Sequence, residues 1–289
     1  MIARPSSSSF PPLSVIFDLH CHSTASDGAL TPRDVVLRAA RLGVGALALT
    51  DHDTLSGLPE AAAAAEEAGL RFIAGVEVSV TWQGRTVHVV GLNVRPDDPT
   101  LLDGLAGNRG GRQARAERIA AALAAVGVGN AYVGALAHAG SPEALSRTHF
   151  ARFLVERGHV KDMKTVFKKF LVKGKPGYVS HQWAELADAV GWIRAAGGQA
   201  VLAHPGRYDL GRDSMRRLIG EFKAAGGEAI EVVAGSHSAE HIPVFARYAD
   251  EFELLASAGS DFHAPGEGGR ELGRLRTLPD ACRPIWKDW

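Results

Sequence analysis

The sequence predicts an α/β fold whose seven strands close into a barrel. Short apolar runs alternate with helical segments along most of the chain, the pattern of a parallel sheet with helical crossovers. Those runs end in histidine or carboxylate residues, and a closed barrel gathers such strand ends at one mouth, where barrel enzymes keep their chemistry. No Gly-x-Gly-x-x-Gly follows any run, so an open doubly wound sheet lacks its usual fingerprint and would spread the same groups along a line.

The first run, Val15-Ile16-Phe17, leads into Asp18-Leu19-His20-Cys21-His22-Ser23-Thr24-Ala25-Ser26-Asp27. Histidines at i and i+2 on a strand share a face and make a metal clamp. Asp27 follows in a turn-like Ser-Asp-Gly. Thr31 is the expected N-cap of a helix, with Pro32 at its first position and Gly43 closing it. Ala46 to Thr50 is the second strand and ends in Asp51-His52-Asp53. An alanine-rich helix from Pro59 to Ala68 stops at Gly69. Arg71 to Glu77 is the third strand, with its carboxylate near the end. Thr86 to Gly91 is the fourth, with His88 in an otherwise apolar run.

From Pro96 the character changes. A long helix is expected within Leu101 to Val126, bearing Arg109, Arg112, Arg115 and Arg118, and further helices at Ser146 to Arg157 and Asp162 to Val172. Residues 100–178 therefore read as a helical insertion that caps the barrel mouth, dividing the barrel into residues 15–99 and 179–289. Alternation then resumes: a helix from Ala184 to Ala196, a strand ending in His204-Pro205, a helix over about Asp213 to Ala225, and a strand ending in Gly235-Ser236-His237. Another helix precedes Leu254 to Ala258, the strand that ends in Gly259-Ser260-Asp261-Phe262-His263.

Composition narrows the function. Thirty-two basic residues balance 32 acidic ones, which argues against binding long nucleic acid by bulk charge. No run of 18 apolar residues offers a membrane span. Residues 1–14 are Ser- and Pro-rich without an apolar core, so they read as a disordered leader rather than a signal peptide. Two cysteines, one inside the histidine motif, exclude a disulfide framework and fit a reducing cytoplasm. Cys21 should pack away from His20 and His22. No obligate protein partner is evident.

Nine strand-end residues remain: His20, His22, Asp27, His52, Glu77, His88, His204, Asp261 and His263. So many buried together call for a cation to neutralise and organise them. Nitrogen and oxygen donors without thiolate suit Zn, Mn or Fe rather than Ca. Nine exceed the needs of one ion; two or three divalent metal ions fit.

These segments, with Thr50-Asp51-His52-Asp53, Gly75-Val76-Glu77, Ala203-His204-Pro205 and Ser260-Asp261-Phe262-His263, resemble the PHP (polymerase and histidinol phosphatase) family over about Ile16 to His263. The resemblance implies a distorted seven-stranded (β/α)7 barrel, a trinuclear metal centre and phosphoester hydrolysis. It also suggests one ion on His20, His22, Glu77 and Asp261, a second on Asp27, His52 and His263, and a third on Glu77, His88 and His204. Ser146-Arg147-Thr148-His149-Phe150-Ala151-Arg152, Gly174 to Val179 and His204-Pro205-Gly206-Arg207-Tyr208 are similar to a subgroup of that family. This subgroup includes the 3′,5′-nucleoside bisphosphate 3′-phosphatases and the related 5′–3′ exoribonuclease RNase AM.

Hydrolysing a phosphate monoester needs a nucleophile at neutral pH and charges to offset the phosphoryl group. A metal-bound hydroxide meets the first need. Arg147, Lys175 and Arg207 are the candidate phosphate anchors, Arg207 standing three residues after His204. Ser236 and His237 end a strand without being needed as ligands; His237 could bind phosphate, protonate the leaving group or be structural. The arginine ladder on the long helix reads as a wet face, with RNA contact the lesser alternative. The expected activity is removal of the 3′-phosphate from nucleoside 3′,5′-bisphosphates. The alternatives are exoribonuclease action on short 5′-phosphorylated RNA, histidinol-phosphate hydrolysis, and a non-catalytic metal-binding module.

Overall fold

The computed structural model describes residues 15–289; the leader expected over 1–14 lies outside the described residues. Seven strands form one sheet in chain order: β1 (Phe17–Asp18), β2 (Ala46–Leu49), β3 (Arg71–Trp82), β4 (Arg85–Leu92), β5 (Gln199–Leu202), β6 (Ala229–Ala234) and β7 (Leu255–Gly259). Leu19 N donates to Ala258 O at 3.0 Å and Asp261 N to His20 O at 2.8 Å, so the last strand meets the first and the barrel is nearly closed. Glycine permits that seam: a Cβ on Gly259 would stand 2.2 Å from His20 Cβ.

The sheet is not all parallel, as alternation had implied. β3 runs past Glu77 to Trp82 and returns as β4 through Gln83 and Gly84, both at positive φ. A two-residue loop of this kind makes a hairpin, because it is far too short for a crossover helix. β4 is therefore antiparallel to both β3 and β5. Glu77 and His88 accordingly come from the middles of two paired strands rather than from strand ends.

Helices α1 (Pro32–Arg41) and α2 (Leu58–Ala68) cover the first half of the barrel. The Thr31 side chain accepts from Asp34 N and Pro32 opens α1, while Gly69 closes α2 in the left-handed conformation that lacks a Cβ penalty. Between β4 and β5 the chain forms α3 (Pro99–Gly110), α4 (Arg112–Ala124), α5 (Ala131–Ala139), α6 (Arg147–Glu156) and α7 (Met163–Val166), α7 running into a looser turn over Phe167–Leu171. The single long helix expected over this stretch is two, broken at Gly110-Gly111. A Cβ on Gly111 would sit 2.3 Å from His181 Cε1, so the break brings the chain close to the 181–184 segment. Helices α8 (Leu186–Ala195), α9 (Arg212–Ala224) and α10 (His241–Glu251) follow with β5, β6 and β7.

Three apolar clusters organise these elements, the smallest gathering Leu19 with residues of β2 to β6 such as Ala48, Ile73, Val90 and Val201. The largest joins strands β2 to β7 with α1, α2, α8, α9 and α10, and takes in Leu101 and Leu105 of α3. A separate one unites α4, α5 and α6 through Leu123, Phe150 and Leu154, each burial contributing about 1.5–3 kcal/mol. Cys21 is buried with Sγ 3.2 Å from Ala48 O, facing the packing side of its strand. No helix among the described residues is long and apolar enough to cross a membrane.

Candidate active site

The barrel brings all nine strand-associated residues into one cluster. His20 Nε2 lies 3.2 Å from His22 Nε2, 3.3 Å from Glu77 Oε2 and 3.8 Å from Asp261 Oδ1. His22 Nε2 is 3.2 Å from that Glu77 oxygen and 3.5 Å from Asp261 Oδ1. Four donors around an ion at 2.0–2.1 Å in tetrahedral array stand about 3.3–3.4 Å apart, so these four have the spacing of a metal site. Asp27 Oδ1 faces His263 Nε2 at 3.2 Å and His52 Nε2 at 3.8 Å. Glu77 Oε1 faces His88 Nδ1 at 2.8 Å and His204 Nε2 at 2.9 Å. Glu77 is thus common to two groups of donors.

A test for a cation comes from the oxygens themselves. Glu77 Oε2, Asp27 Oδ1 and Asp261 Oδ1 are buried without a hydrogen-bond partner among the described residues. Buried carboxylate oxygens left unmet are costly, and these three face imidazole nitrogens that can offer lone pairs. Divalent ions satisfy both kinds of donor at once, so the residues fit the metals that the donor chemistry implies.

Surrounding contacts hold the donors in place. Glu231, inside the apolar run of β6, accepts from His20 Nδ1 at 2.7 Å and from His204 N at 2.5 Å. His263 Nδ1 donates to Asp261 O at 2.9 Å, which turns its Nε2 toward Asp27. Asp51 accepts from Ser23 N, Ser23 Oγ and Ser26 Oγ, shaping the turn that presents Asp27. Ser146, the N-cap of α6, donates to Asp27 Oδ2 at 3.0 Å. His204 and Asp261 both sit at positive φ, a strained choice for side-chain-bearing residues that concentrates at functional sites.

The electrostatics follow from this crowding. Burial alone would raise the Glu77 carboxyl, but His88, His52 and His20 hold it well below the usual carboxylate range. Asp261 is likewise raised by burial and pulled well down by Arg270 and Arg207. Burial, reinforced by Arg207, pushes His204 down to about 3, leaving its lone pair free. His22 moves the other way: burial opposes, but Asp261 and Glu77 carry it up to about 9.

The expected phosphate anchors divide. Arg207 lies at the mouth with NH1 2.8 Å from Asp261 Oδ2. Arg147 lines a cavity of about 80 Å³ beside the cluster, along with Arg207, His52, His88 and His263. Lys175 is exposed on its turn and lines neither cavity beside the cluster. Ser236 lines a second cavity of about 500 Å³ on the other side, with Arg207 and Arg270, and its buried Oγ has no partner among the described residues. His237 is occupied: Nδ1 lies 3.0 Å from Val232 O and Nε2 accepts from Gly206 N at 3.1 Å. Its ring stacks on Phe245 at 4.9 Å, a placement that steadies the turn after His204 rather than facing substrate.

Sequence reasoning passed over several contributors. The arginine ladder is not a uniformly wet face: Arg118 is exposed, but Arg112 and Arg115 are buried against the cluster's cavity. Arg112 pairs with Asp53, which also accepts from Ser79 and Asn108. Glu231 and Arg270 were missed as well. A carboxylate in the middle of an apolar strand was the available signal for Glu231; Arg270, in a glycine-rich loop, had none.

Comparison with known proteins accords with this geometry. The PHP domain profile matches residues 18–232. A 3′,5′-nucleoside bisphosphate phosphatase of Chromobacterium violaceum is 58% identical over 271 residues, 94% of this chain and 95% of that protein. A 5′-3′ exoribonuclease of Haemophilus influenzae is 44% identical over 94% of this chain and 98% of its own length. A solved structure from Chromobacterium violaceum, described as an amidohydrolase with bound sulfate and no metal, is 56% identical. It superposes with a TM-score of 0.92 over 94% of this chain and 95% of its own.

Proposed function

The chain belongs to the PHP family, and on that premise we propose that it is a metal-dependent phosphoesterase that removes the 3′-phosphate of nucleoside 3′,5′-bisphosphates. The observation that carries this reading is the set of buried, partnerless oxygens on Glu77, Asp27 and Asp261, ringed by histidines and adjoined by Arg147 and Arg207. When bound, two or three divalent ions (Mn, Zn or Fe) supply a nucleophile at neutral pH and offset phosphoryl charge. His20, His22, Glu77 and Asp261 would hold one; Asp27, His52 and His263 a second; Glu77, His88 and His204 a third. Arg207 keeps 43% of its side chain exposed while Asp261 fixes its guanidinium, so it can orient a phosphoryl oxygen with directed N–H groups. Both cysteines are free, in keeping with a reducing cytoplasm.

A second reading, 5′–3′ exoribonuclease action, is favoured by the 500 Å³ cavity that continues past Arg207 toward Arg270 and Lys164, enough room for further nucleotides. The deciding experiment measures metal content and then compares two reactions of the metal-loaded protein. One is phosphate release from adenosine 3′,5′-bisphosphate; the other is nucleotide release from a 5′-phosphorylated oligoribonucleotide. Turnover of neither sinks the phosphoesterase reading.

A further inference from the structure

The lysines of this chain are not spread over it. Six of the eight, Lys161, Lys164, Lys168, Lys169, Lys173 and Lys175, fall within residues 161–175, where a single aspartate is the only acid. The segment is amphipathic. Met163, Val166, Phe167, Phe170 and Leu171 recur at i, i+3, i+4, i+7 and i+8, the spacing of one helix face. They turn inward and pack on the apolar cluster of α4, α5 and α6. The six lysines are all exposed. Lys164 and Lys168, four residues apart, stand on the same side of the helical body.

These charges have no internal use. Surface arginines elsewhere are paired, Arg33 with Glu67, Arg38 with Glu271 and Arg216 with Glu251, but none of the six lysines enters an ion pair among the described residues. The one acid beside them is taken, because Asp162 caps α7 by accepting from Thr165 N at 2.8 Å. A concentrated positive field without counter-charge attracts an anion of matching extent. Lys is a point charge on a flexible stem, suited to a repeating anion read by charge alone. The helical body from Met163 to Leu171 is about 13 Å long at ~1.5 Å per residue. A nucleic-acid strand carries one phosphate per ~3.4 Å, so about four phosphates match that length. Place in the fold selects among polyanions. Lys164 lines the larger cavity beside the cluster together with Arg207 and Arg270, so the lysine face begins at the rim of the mouth. A strand whose 5′ end is in the mouth has that rim as its way out. A bilayer would find little to hold, since the segment's apolar residues face inward and only Val172 among them is exposed.

We propose that these six lysines form a charged track on the outer face of the insertion for single-stranded RNA, holding the strand downstream of the bond being cut. The inference rests on the exoribonuclease reading and deepens it: the metal cluster acts at the 5′ end, and the insertion keeps the remaining strand from leaving between cuts. Contact is to phosphate, so the track reads no base sequence. Apart from Lys164 at its start, it lies outside both cavities beside the cluster.

Binding and turnover by the metal-loaded protein test it. The variant combines Lys161→Gln, Lys168→Gln, Lys169→Gln and Lys173→Gln and leaves the cavity-lining Lys164 in place. Fluorescence anisotropy with a phosphorothioate oligoribonucleotide of about 12 nucleotides, read from roughly 50 to 200 mM salt, gives the slope of log K against log salt. Each lysine on a phosphate contributes about 0.7 to that slope, so the wild-type slope should be steeper than the variant's by about 2–3. The variant's kcat/KM on a 5′-phosphorylated oligoribonucleotide of that length should fall tenfold or more, while that on adenosine 3′,5′-bisphosphate keeps its wild-type value. Arginine at the same four positions should preserve both. Equal slopes overturn the track, as does an oligonucleotide kcat/KM that falls no further than the bisphosphate's. A wild type that passes over the oligonucleotide yet sediments with phosphatidylserine vesicles overturns it in favour of a membrane surface. Should the fourfold variant fail to fold, Lys168→Gln with Lys169→Gln carries the test at a slope change of about 1.4. A wild type that binds the oligonucleotide but cuts none sinks the exoribonuclease reading instead, and the slopes decide RNA binding apart from it.

Discussion

Glu231 of β6 accepts a hydrogen bond from Nδ1 of His20 at 2.7 Å, and that contact decides which His20 nitrogen faces the cluster. With Nδ1 donating, the lone pair is on Nε2, the atom that stands 3.2 Å from His22 and 3.3 Å from Glu77. The other Glu231 oxygen accepts from His204 N, so one buried carboxylate orients two of the nine.

Replacing Glu231 should therefore weaken metal binding without touching a metal donor. In Glu231→Gln the amide cannot accept from both His20 and His204 N, and one of them loses its orientation. The expected cost is about 10–100-fold in metal affinity, the range for such outer partners. Competition against a chelator of known affinity measures it; unchanged affinity would reduce Glu231 to a packing residue.

His149 makes stability pH-dependent. Its Nδ1 accepts from Ser146 N at 3.1 Å, so the ring is held neutral, and burial pushes its proton affinity down to about 4 from 6.5. A lowered histidine favours the fold while the unfolded chain is also neutral. This contribution is therefore complete above about pH 6.5 and is lost as pH falls toward 4, where the unfolded ring takes a proton first. The full amount is on the order of 3 kcal/mol. Urea unfolding between pH 7.5 and 4.5 should show a shallower decline for His149→Gln than for wild type; parallel declines would contradict it.

His237 should act through position rather than by moving protons. With one nitrogen at Val232 O and the other at Gly206 N, it has no free atom for a leaving group. His237→Ala should lower the melting temperature and kcat/KM while both limbs of the pH–rate profile persist. Loss of the basic limb at an unaltered melting temperature would restore the acid role.

Gly259→Ala should be among the most destabilising single changes outside the cluster. The added methyl would meet His20 Cβ at 2.2 Å and His20 N at 2.9 Å, both on the strand that β7 must approach to close the barrel. Overpacking of this kind costs about 1–3 kcal/mol, and thermal unfolding reads it directly.

How far the sequence reveals this site depends on how local each determinant is. His20 and His22 lie two apart after the first run, Asp27 follows in the adjoining turn, and each further donor ends or interrupts an apolar run, so pattern alone collects all nine. Strand direction is less local: Gln83-Gly84 carries no strong hairpin signature, and the antiparallel β4 went unread. The arginine ladder shows the same limit. Arg115 and Arg118 differ by one helical step, and only packing against Trp183 decides that the first is buried and the second wet. Glu231 owes its role to His20, 211 residues away, and His204, 27 away, and Arg270 to Asp261, 9 away, so sequence distance was no guide either.

Metal stoichiometry should separate Glu77 from Asp27. Both oxygens of Glu77 are engaged. Oε1 faces His88 and His204, while Oε2 faces His20, His22 and, at 3.0 Å, His52 Nδ1. Asp27 offers one oxygen, Oδ1, to His263 and His52, and its other is taken by Ser146 Oγ. A carboxylate shared between two donor groups, once made neutral and half donor, can complete neither. Glu77→Gln should therefore lose two ions per chain, and Asp27→Asn one. Elemental analysis of both variants after dialysis against trace divalent metal gives the counts. Equal losses would mean that Glu77 does not bridge and that the ions are partitioned otherwise. Full occupancy in Glu77→Gln would remove the central carboxylate from the metal centre altogether.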